Sequence, residues 1–370
     1  MKILLVTMGM DIGGAETHIL ELAKELKKRK NEVFVMSNGG KYVEELQQNN
    51  IEHIWAPLHN KKIGNMVKSY NIIKKVIAEK QIALVHSHTR ISSFICGKLK
   101  KKVDFPFVTS AHWTFKVTPL LKMMTDWGEN VIAVSDDIKE YLKENYGIKE
   151  ENIFVTVNGI DTEKFSKTVD YSDIEKEFDL KQNSNRIVYV SRLDESRALV
   201  AKQLVNISER LNTQIENLEI VIVGAGDSYG EISEKVEEIN KRVGKKLIVL
   251  TGARTDINKF AASGKIFIGV SRAALEAMAC EQPVIVAGNE GYIGIFDDSK
   301  LQKGIETNFC CRGLEMSSEE LLEKDIVELM SKENKEEYGK YNRETVKKYY
   351  SVEKMTDDCE KAYNKTLRKE

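Results

Sequence analysis

No apolar run in this 370-residue chain approaches the roughly 20 residues that a bilayer-spanning helix needs. The opening stretch Met1–Thr7 is also too short for a signal peptide, and it reads instead as a first buried strand. Cysteine is scarce, with five residues at irregular positions. An odd, unpatterned set argues against a disulfide framework or a zinc site, and adjacent Cys310 and Cys311 read as reduced thiols. A cytoplasmic location is the expectation. Net charge is nearly absent as well, 56 basic residues standing against 57 acidic ones. No short-period repeat or low-complexity tract interrupts the pattern. No helix-turn-helix or aromatic-basic signature accompanies the basic residues, so nucleic acid is not expected as a partner.

What is present points to an ordinary globular α/β protein with length enough for two cores. The near-neutral total conceals a local excess: between His59 and Lys122 thirteen Lys/Arg face only Glu79 and Asp104. Within that stretch Met66, Tyr70, Ile73 and Ile77 recur at helical spacing, with Lys68, Lys74 and Lys75 on other faces. A solvated helix face accounts for this charge. Attraction of residues 59–122 to anionic lipid headgroups or to a phosphorylated acceptor is the sharper alternative.

Strand-like runs recur along the chain, at Lys2–Thr7, Glu32–Ser37, Ile82–His86, Val108–Ser110, Val131–Val134 and Ile153–Val157. After a polar stretch near Asp161–Asn185 come Arg186–Val190, Leu218–Val223, Lys246–Leu250, Ile266–Val270 and Val284–Val286. Most are continuously apolar and separated by helical segments, the pattern of parallel strands covered on both faces. Two such series predict two doubly wound Rossmann-like domains facing across an interdomain cleft, followed by helices from Ser317 onward and a last helix near Val352–Leu367. The expected division is an N-terminal domain over 1–165, a C-terminal domain over 166–345, and a C-terminal helix over 346–370 that packs back on the first domain. Ligands in such folds lie beyond the carboxyl ends of the strands, so the residues following each strand carry the chemistry.

Six such segments stand out along the chain. Gly13-Gly14 after the first strand suits close approach of backbone to a ligand or a simple turn, while Glu16 and His18 read as helix-surface or packing residues. His86-Ser87-His88 ends another strand; it offers two metal-type ligands without a third at a suitable spacing. His112 follows a further strand and is suited to donate a hydrogen bond to a sugar hydroxyl. Its neighbours Trp113 and Phe115 either stack against an acceptor or merely cover a loop. In the second half, Arg192 and Arg197 lie five apart on a strand-to-helix loop and suit a diphosphate. Gly224-Ala225-Gly226 resembles a dinucleotide fingerprint but spaces its last glycine, Gly230, one residue late, so it supports a backbone cradle better than NAD. Ser271 fits the N-cap of a helix whose Arg272 and Ala273 amides would face an anion, with Glu276 one turn further in, near a sugar hydroxyl.

Taken in order, Gly13-Gly14-Ala15-Glu16, His112, Ala133-Val134-Ser135, Asn158-Gly159 through Phe165, Ser191-Arg192-Leu193, Gly224-Ala225-Gly226, and Leu275-Glu276-Ala277-Met278-Ala279 with Pro283-Val284 resemble the retaining glycosyltransferases of family 4. The resemblance covers nearly all of the chain and implies the GT-B fold. It further implies that Gly14 closes on the donor phosphate, His112 contacts the transferred sugar and Arg192 binds phosphate. Arg197 replaces a customary lysine, and Glu276 is the second acid of a Glu-x7-Glu motif, binding ribose. The first acid of that motif is replaced by Ile268, and Gly288-Asn289-Glu290-Gly291 departs from the usual Gly-Gly-x-x-Glu loop. Donor recognition is therefore expected to involve Arg272, Asn289 or Glu290.

The resemblance implies metal-independent, retaining transfer of a hexose-type sugar from a nucleotide diphosphosugar, UDP-linked, to a glycan or lipid-linked acceptor in cell-surface glycan synthesis. No cofactor is expected. Ile268 keeps open a second reading, a catalytically silent subunit that binds the nucleotide-sugar. Gly224–Gly230 alone keeps open a third, an NAD-dependent dehydrogenase.

Overall fold

The computed structural model describes residues 1–368 and divides into two units, residues 1–159 with 350–368, and Ile160–Tyr349. The changeovers fall at 159/160 and 349/350, a few residues from the positions 165 and 345 expected from sequence.

The first unit holds seven parallel strands: β1 (Lys2–Val6), β2 (Glu32–Ser37), β3 (Glu52–Trp55), β4 (Leu84–Ser87), β5 (Phe107–Ala111), β6 (Asn130–Ala133) and β7 (Ile153–Val155). They lie in the order β3-β2-β1-β4-β5-β6-β7. The order reverses at β1, whose neighbours β2 and β4 carry the chain away in opposite directions. That reversal leaves a crevice at the carboxyl ends of β1 and β4. Ile3, Leu5 and Leu84 on one face pack against the helix Gly14–Lys28, while Leu4, Val6 and Val85 on the other meet Ile73, Ile95 and Leu99 of two further helices. Both faces are thereby apolar, as continuous hydrophobic strands require. β3 is absent from the strands read in the sequence, because Glu52-His53-Ile54-Trp55 at the sheet edge is partly exposed and lacks a buried apolar run.

The helix Val352–Leu367 completes this unit. Met355, Cys359, Ala362 and Tyr363 are fully buried in the core that also holds Ile3, Leu5 and Ile132. Polar contacts fix its angle: Thr366 Oγ1 accepts from Asn130 Nδ2 at 2.8 Å, and Arg29 bonds Asp357 and Glu360, each at 2.7 Å. The first unit is therefore assembled from two distant parts of the chain.

The second unit holds β8 (Asn185–Val190), β9 (Leu218–Val223), β10 (Ile248–Leu250), β11 (Ile266–Gly269), β12 (Val284–Gly288) and β13 (Gly291–Ile295), ordered β10-β9-β8-β11-β12-β13. All pairs are parallel except β12 with β13, a hairpin with a register shift at Val286/Ala287. Here the order reverses at β8, between β9 and β11. The opposite end of this sheet is anchored by Arg186, only 2% exposed, which bonds Glu219 at 2.7 Å, Glu175 at 3.1 Å and the Lys181 carbonyl at 2.9 Å. Such a buried cation is tolerable because its donors are matched by acceptors.

Replacing Tyr363 by alanine removes a fully buried ring from the junction of helix and sheet. It should destabilise the first unit by about 3–5 kcal/mol, measured by urea unfolding followed through a probe placed in that unit.

Candidate functional site

In the first unit, the loops after β1, β4 and β5 bring three histidines together. His18 lies on the helix following β1, His88 directly follows β4 and His112 directly follows β5. One ring nitrogen from each lies within 4.8 Å of one from each of the other two. His88 Nδ1 and His112 Nε2 are hydrogen-bonded at 3.1 Å, with the rings stacked at a centroid separation of 5.4 Å. The His18 ring meets that of His112 edge-on at 4.8 Å. His88 is held against the sheet by its amide, which donates to the Val6 carbonyl. Among the described residues this is the single group of three His, Cys, Asp or Glu side chains near enough to share a cation.

His86, two residues earlier on the same strand face, extends the array downward. Its ring lies 3.9 Å from that of His88, its Nε2 bonds Ser110 Oγ at 2.7 Å, and its Nδ1 bonds the Tyr363 hydroxyl at 2.8 Å. From sequence His86 and His88 formed a pair without a third ligand, and His18 was a packing residue. The fold supplies His18 and His112 to the His88 side and leaves His86 with Ser110 and Tyr363. The available sequence signal for His18 was its place on the helix next to the β1/β4 crevice.

Burial drives these imidazoles toward neutrality. Desolvation pushes His86 down to about 3 and His112 down to about 4, and His88 lies well below the usual histidine value, with the neighbouring imidazoles contributing after burial.

Around the cluster, Gly13 forms the N-cap of the helix Gly14–Lys28 with extended backbone. The Glu16 carboxylate lies over it where a Cβ would stand, and burial holds that carboxyl above its ordinary value. Gly14 faces open space. Trp113 and Phe115 are exposed on the loop beyond β5; the Arg90 guanidinium covers the Phe115 ring at 4.5 Å, and the Tyr141 hydroxyl bonds the Phe115 backbone.

In the second unit, parallel pairing brings the loops after β8, β9, β11 and β12 to one edge. The Arg192 side chain is 62% exposed and forms an ion pair with Asp194 at 3.4 Å. Arg197 is partly exposed on the same loop, its amide bonded to the Asp194 carbonyl. Gly224 and Gly226 have an internal reason to be glycine. A Cβ on Gly224 would fall 1.8 Å from the Ser191 carbonyl oxygen, and one on Gly226 would fall 2.4 Å from the Leu193 backbone. The Leu193 amide donates to the Ala225 carbonyl, and the Ser228 amide to that of Leu193. The glycine loop thus seats the arginine loop.

Ser271 differs from its expected part as an N-cap. Val270 precedes the helix Ser271–Ala279, no side-chain capping bond forms, and Ser271 adopts a left-handed φ of 50°. Its amide is taken by the Phe309 carbonyl at 2.8 Å. A residue other than glycine at such a φ carries backbone strain. Ala273 lies in the first turn of that helix. Arg272 Nε donates to Glu276 Oε1 at 2.8 Å across one helical turn, both side chains being mostly buried. Ile268 is fully buried within β11. Asn289 and Glu290 form the two-residue tip of the β12–β13 hairpin, with Arg312 3.4 Å from Glu290. The sequence left β13 as a loop because Gly291-Tyr292-Ile293-Gly294-Ile295 is rich in glycine.

Two doubly wound sheets, each with its polar side chains gathered beyond the strand ends, are the architecture of the GT-B fold. The family model described as Glycosyltransferase Family 4 matches residues 12–164, and that described as Glycosyl transferases group 1 matches residues 184–310. The chain has the GT-B fold and is related to the family 4 and group 1 glycosyltransferases. Among curated proteins it is 25% identical over 343 residues to an uncharacterized glycosyltransferase of Methanocaldococcus jannaschii, covering 86% of this chain and 88% of that one. It is also 25% identical over 256 residues to the Escherichia coli UDP-Gal:alpha-D-GlcNAc-diphosphoundecaprenol alpha-1,3-galactosyltransferase, covering 62% of this chain and 63% of that one. Among solved structures a glycosyltransferase of Rickettsia africae shares the fold at a TM-score of 0.79 and 21% identity, covering 100% of this chain and 99% of that one. HepE of Anabaena, solved with UDP and glucose, does so at 0.74 and 16%, covering 99% and 100%.

The neutral histidines have a thermodynamic consequence. Their folded values lie below the 6.5 of an exposed histidine, so between about pH 6.5 and pH 4 the unfolded chain binds more protons than the folded one. Stability should rise with pH through that window and fall as pH drops, by about 1.4 kcal/mol per pH unit for each proton taken up. Urea midpoints at several pH values would measure this, and a flat profile from pH 7 to 5 would contradict it.

Proposed function

We propose that the protein moves a hexose-type sugar from a UDP-sugar to a glycan or lipid-linked acceptor of cell-surface glycan synthesis, with retention of anomeric configuration. The observation that carries the reading is the parallel pairing of β8 with β11 beside the reversal of strand order at β8, since β8 is followed by the Arg192/Arg197 loop and β11 by the start of the helix Ser271–Ala279. A cationic pair beside a helix start at such a point suits a diphosphate. The choice of uridine rests on the relatives: the E. coli protein is named for a UDP-galactose donor and a diphosphoundecaprenol acceptor, and HepE has been solved with UDP and with UDP-glucose.

Each unit has its part. In the second, Arg192 and Arg197 bind the diphosphate, with the first-turn backbone at Ser271–Ala273 beside them. Glu276, oriented by Arg272, takes the ribose, and Asn289 and Glu290 at the hairpin tip reach the donor sugar. Gly224 and Gly226 act by holding the arginine loop in place. In the first unit, His112 contacts the transferred sugar, Gly14 admits the donor phosphate over open backbone, and Trp113 and Phe115 receive the acceptor.

The bond from the anomeric carbon to the diphosphate oxygen breaks, giving a short-lived oxocarbenium-like ion pair. The acceptor oxygen then bonds the same face of that carbon. Its proton passes to the leaving diphosphate, whose growing charge the arginines stabilise. Arg192→Ala should lower transfer by on the order of 10²–10³, followed as released UDP. Its thermal unfolding should match wild type, because this exposed side chain supports nothing in the core. Near-normal turnover would remove Arg192 from the site.

No helix among the described residues is long and apolar enough to cross a membrane. A cytoplasmic enzyme resting on the inner membrane face is the reading that suits a lipid-linked acceptor. Ile63, Val67, Leu120 and Met123 are exposed on the helices Ile63–Lys80 and Pro119–Met123. Lys61, Lys62, Lys68, Lys116 and Lys122 are exposed beside them in sequence. Apolar residues enter the headgroup layer while lysines pair with anionic lipid. Replacing Lys61 and Lys62 together by alanine should weaken binding to phosphatidylglycerol vesicles by about 2 kcal/mol, roughly 30-fold. Cosedimentation measures it, and equal binding to uncharged vesicles would refute the electrostatic part.

A further inference from the structure

We infer that His88 is a positioning residue, fixing His112 as the tautomer with its proton on Nδ1. The inference deepens the proposed sugar contact of His112 and rests on it. The hydrogen bond between His88 Nδ1 and His112 Nε2 needs one nitrogen to carry the proton and the other to accept it. The two arrangements differ in what they leave at the far side of His88. That residue is 3% exposed, and its Nε2 is buried with no hydrogen-bond partner among the described residues.

If His88 Nδ1 accepted, the His88 proton would sit on Nε2 as a buried N–H without an acceptor. Stranded buried N–H groups are rare because the donor loses water and gains nothing. If His88 Nδ1 donates, Nε2 is a bare lone pair, the milder loss. His112 Nε2 then accepts, and the proton of its neutral ring must sit on Nδ1. No described residue hydrogen-bonds that nitrogen, so it is the one left to a ligand. Burial keeps both rings neutral near pH 7, so the ring offers a sugar hydroxyl a single uncharged N–H donor.

The neighbours support one geometry. The His88 amide donates to the Val6 carbonyl, which fixes its backbone to β1. The ring of His86 lies 3.9 Å beneath that of His88 and is itself anchored by Ser110 and Tyr363. The His18 ring closes one side of His112. His88 thereby does for His112 what a buried orienting partner does for a metal-bound or catalytic histidine: it selects which nitrogen works.

The test is a two-bond nitrogen–proton correlation spectrum of the whole protein labelled with nitrogen-15 histidine, recorded near pH 7 without ligand. Wild type should show His112 protonated on Nδ1 and bare on Nε2. His88→Asn places an amide donor where Nδ1 stood and should keep that pattern. His88→Gln moves the donor outward and should give the other tautomer or a mixture. In transfer assays His88→Gln should lose about 10- to 100-fold in kcat with little change in donor KM, and His88→Asn should recover most of it. A wild-type His112 protonated on Nε2 would overturn the inference even if neither variant folds. So would one equivalent of zinc that shifts both the His88 and His112 resonances, since those nitrogens would then be metal ligands. Normal transfer by His112→Ala would instead remove the sugar contact of His112 and leave the tautomer result standing.

Discussion

Parallel strand pairing is the constraint on which everything else in this protein depends. When neighbouring strands run the same way, every strand delivers its following loop to the same edge of the sheet, whatever its distance in sequence. His88 and His112 stand 24 residues apart yet bond at 3.1 Å because β4 and β5 are paired neighbours. The reversal of order at β1 and at β8 then opens a gap at that edge, and the polar residues line it. The fold positions these side chains through backbone hydrogen bonds, so they need little support from their own loops.

This explains how far the sequence could be read. Continuous apolar runs marked eleven strands, and the doubly wound architecture followed from their alternation with helices. The edge strand β3 and the glycine-rich β13 escaped because each lacks the buried apolar run that signals a strand. The segments bearing Arg192, His112 and Glu276 stood out because each follows a strand. His18 was not, since a histidine on a helix carries no mark of what the helix packs beside. The pairing of His86 with Tyr363 crosses 277 residues and leaves no local trace. Ser271 was legible as a residue of interest but for a different reason than its geometry gives. Its left-handed backbone appears only in the structure.

The glycines divide by the same logic. Gly224 and Gly226 are required by the backbone of the arginine loop, which passes where their side chains would be. Gly14 is surrounded by open space. Glycines that look alike in sequence therefore differ in kind: Gly224 and Gly226 lie against the protein's own backbone, and Gly14 is left for something else to approach.

The two-part construction of the first unit carries a consequence for biosynthesis. Residues 160–349 form one uninterrupted stretch and have all their partners once it has left the ribosome. The earlier-made residues 1–159 must wait for the helix Val352–Leu367, because Tyr363, Met355 and Cys359 fill their core. The order of synthesis is thus the reverse of the order in which the units can be completed. Until that helix emerges, the nascent first unit holds an apolar groove open to chaperones.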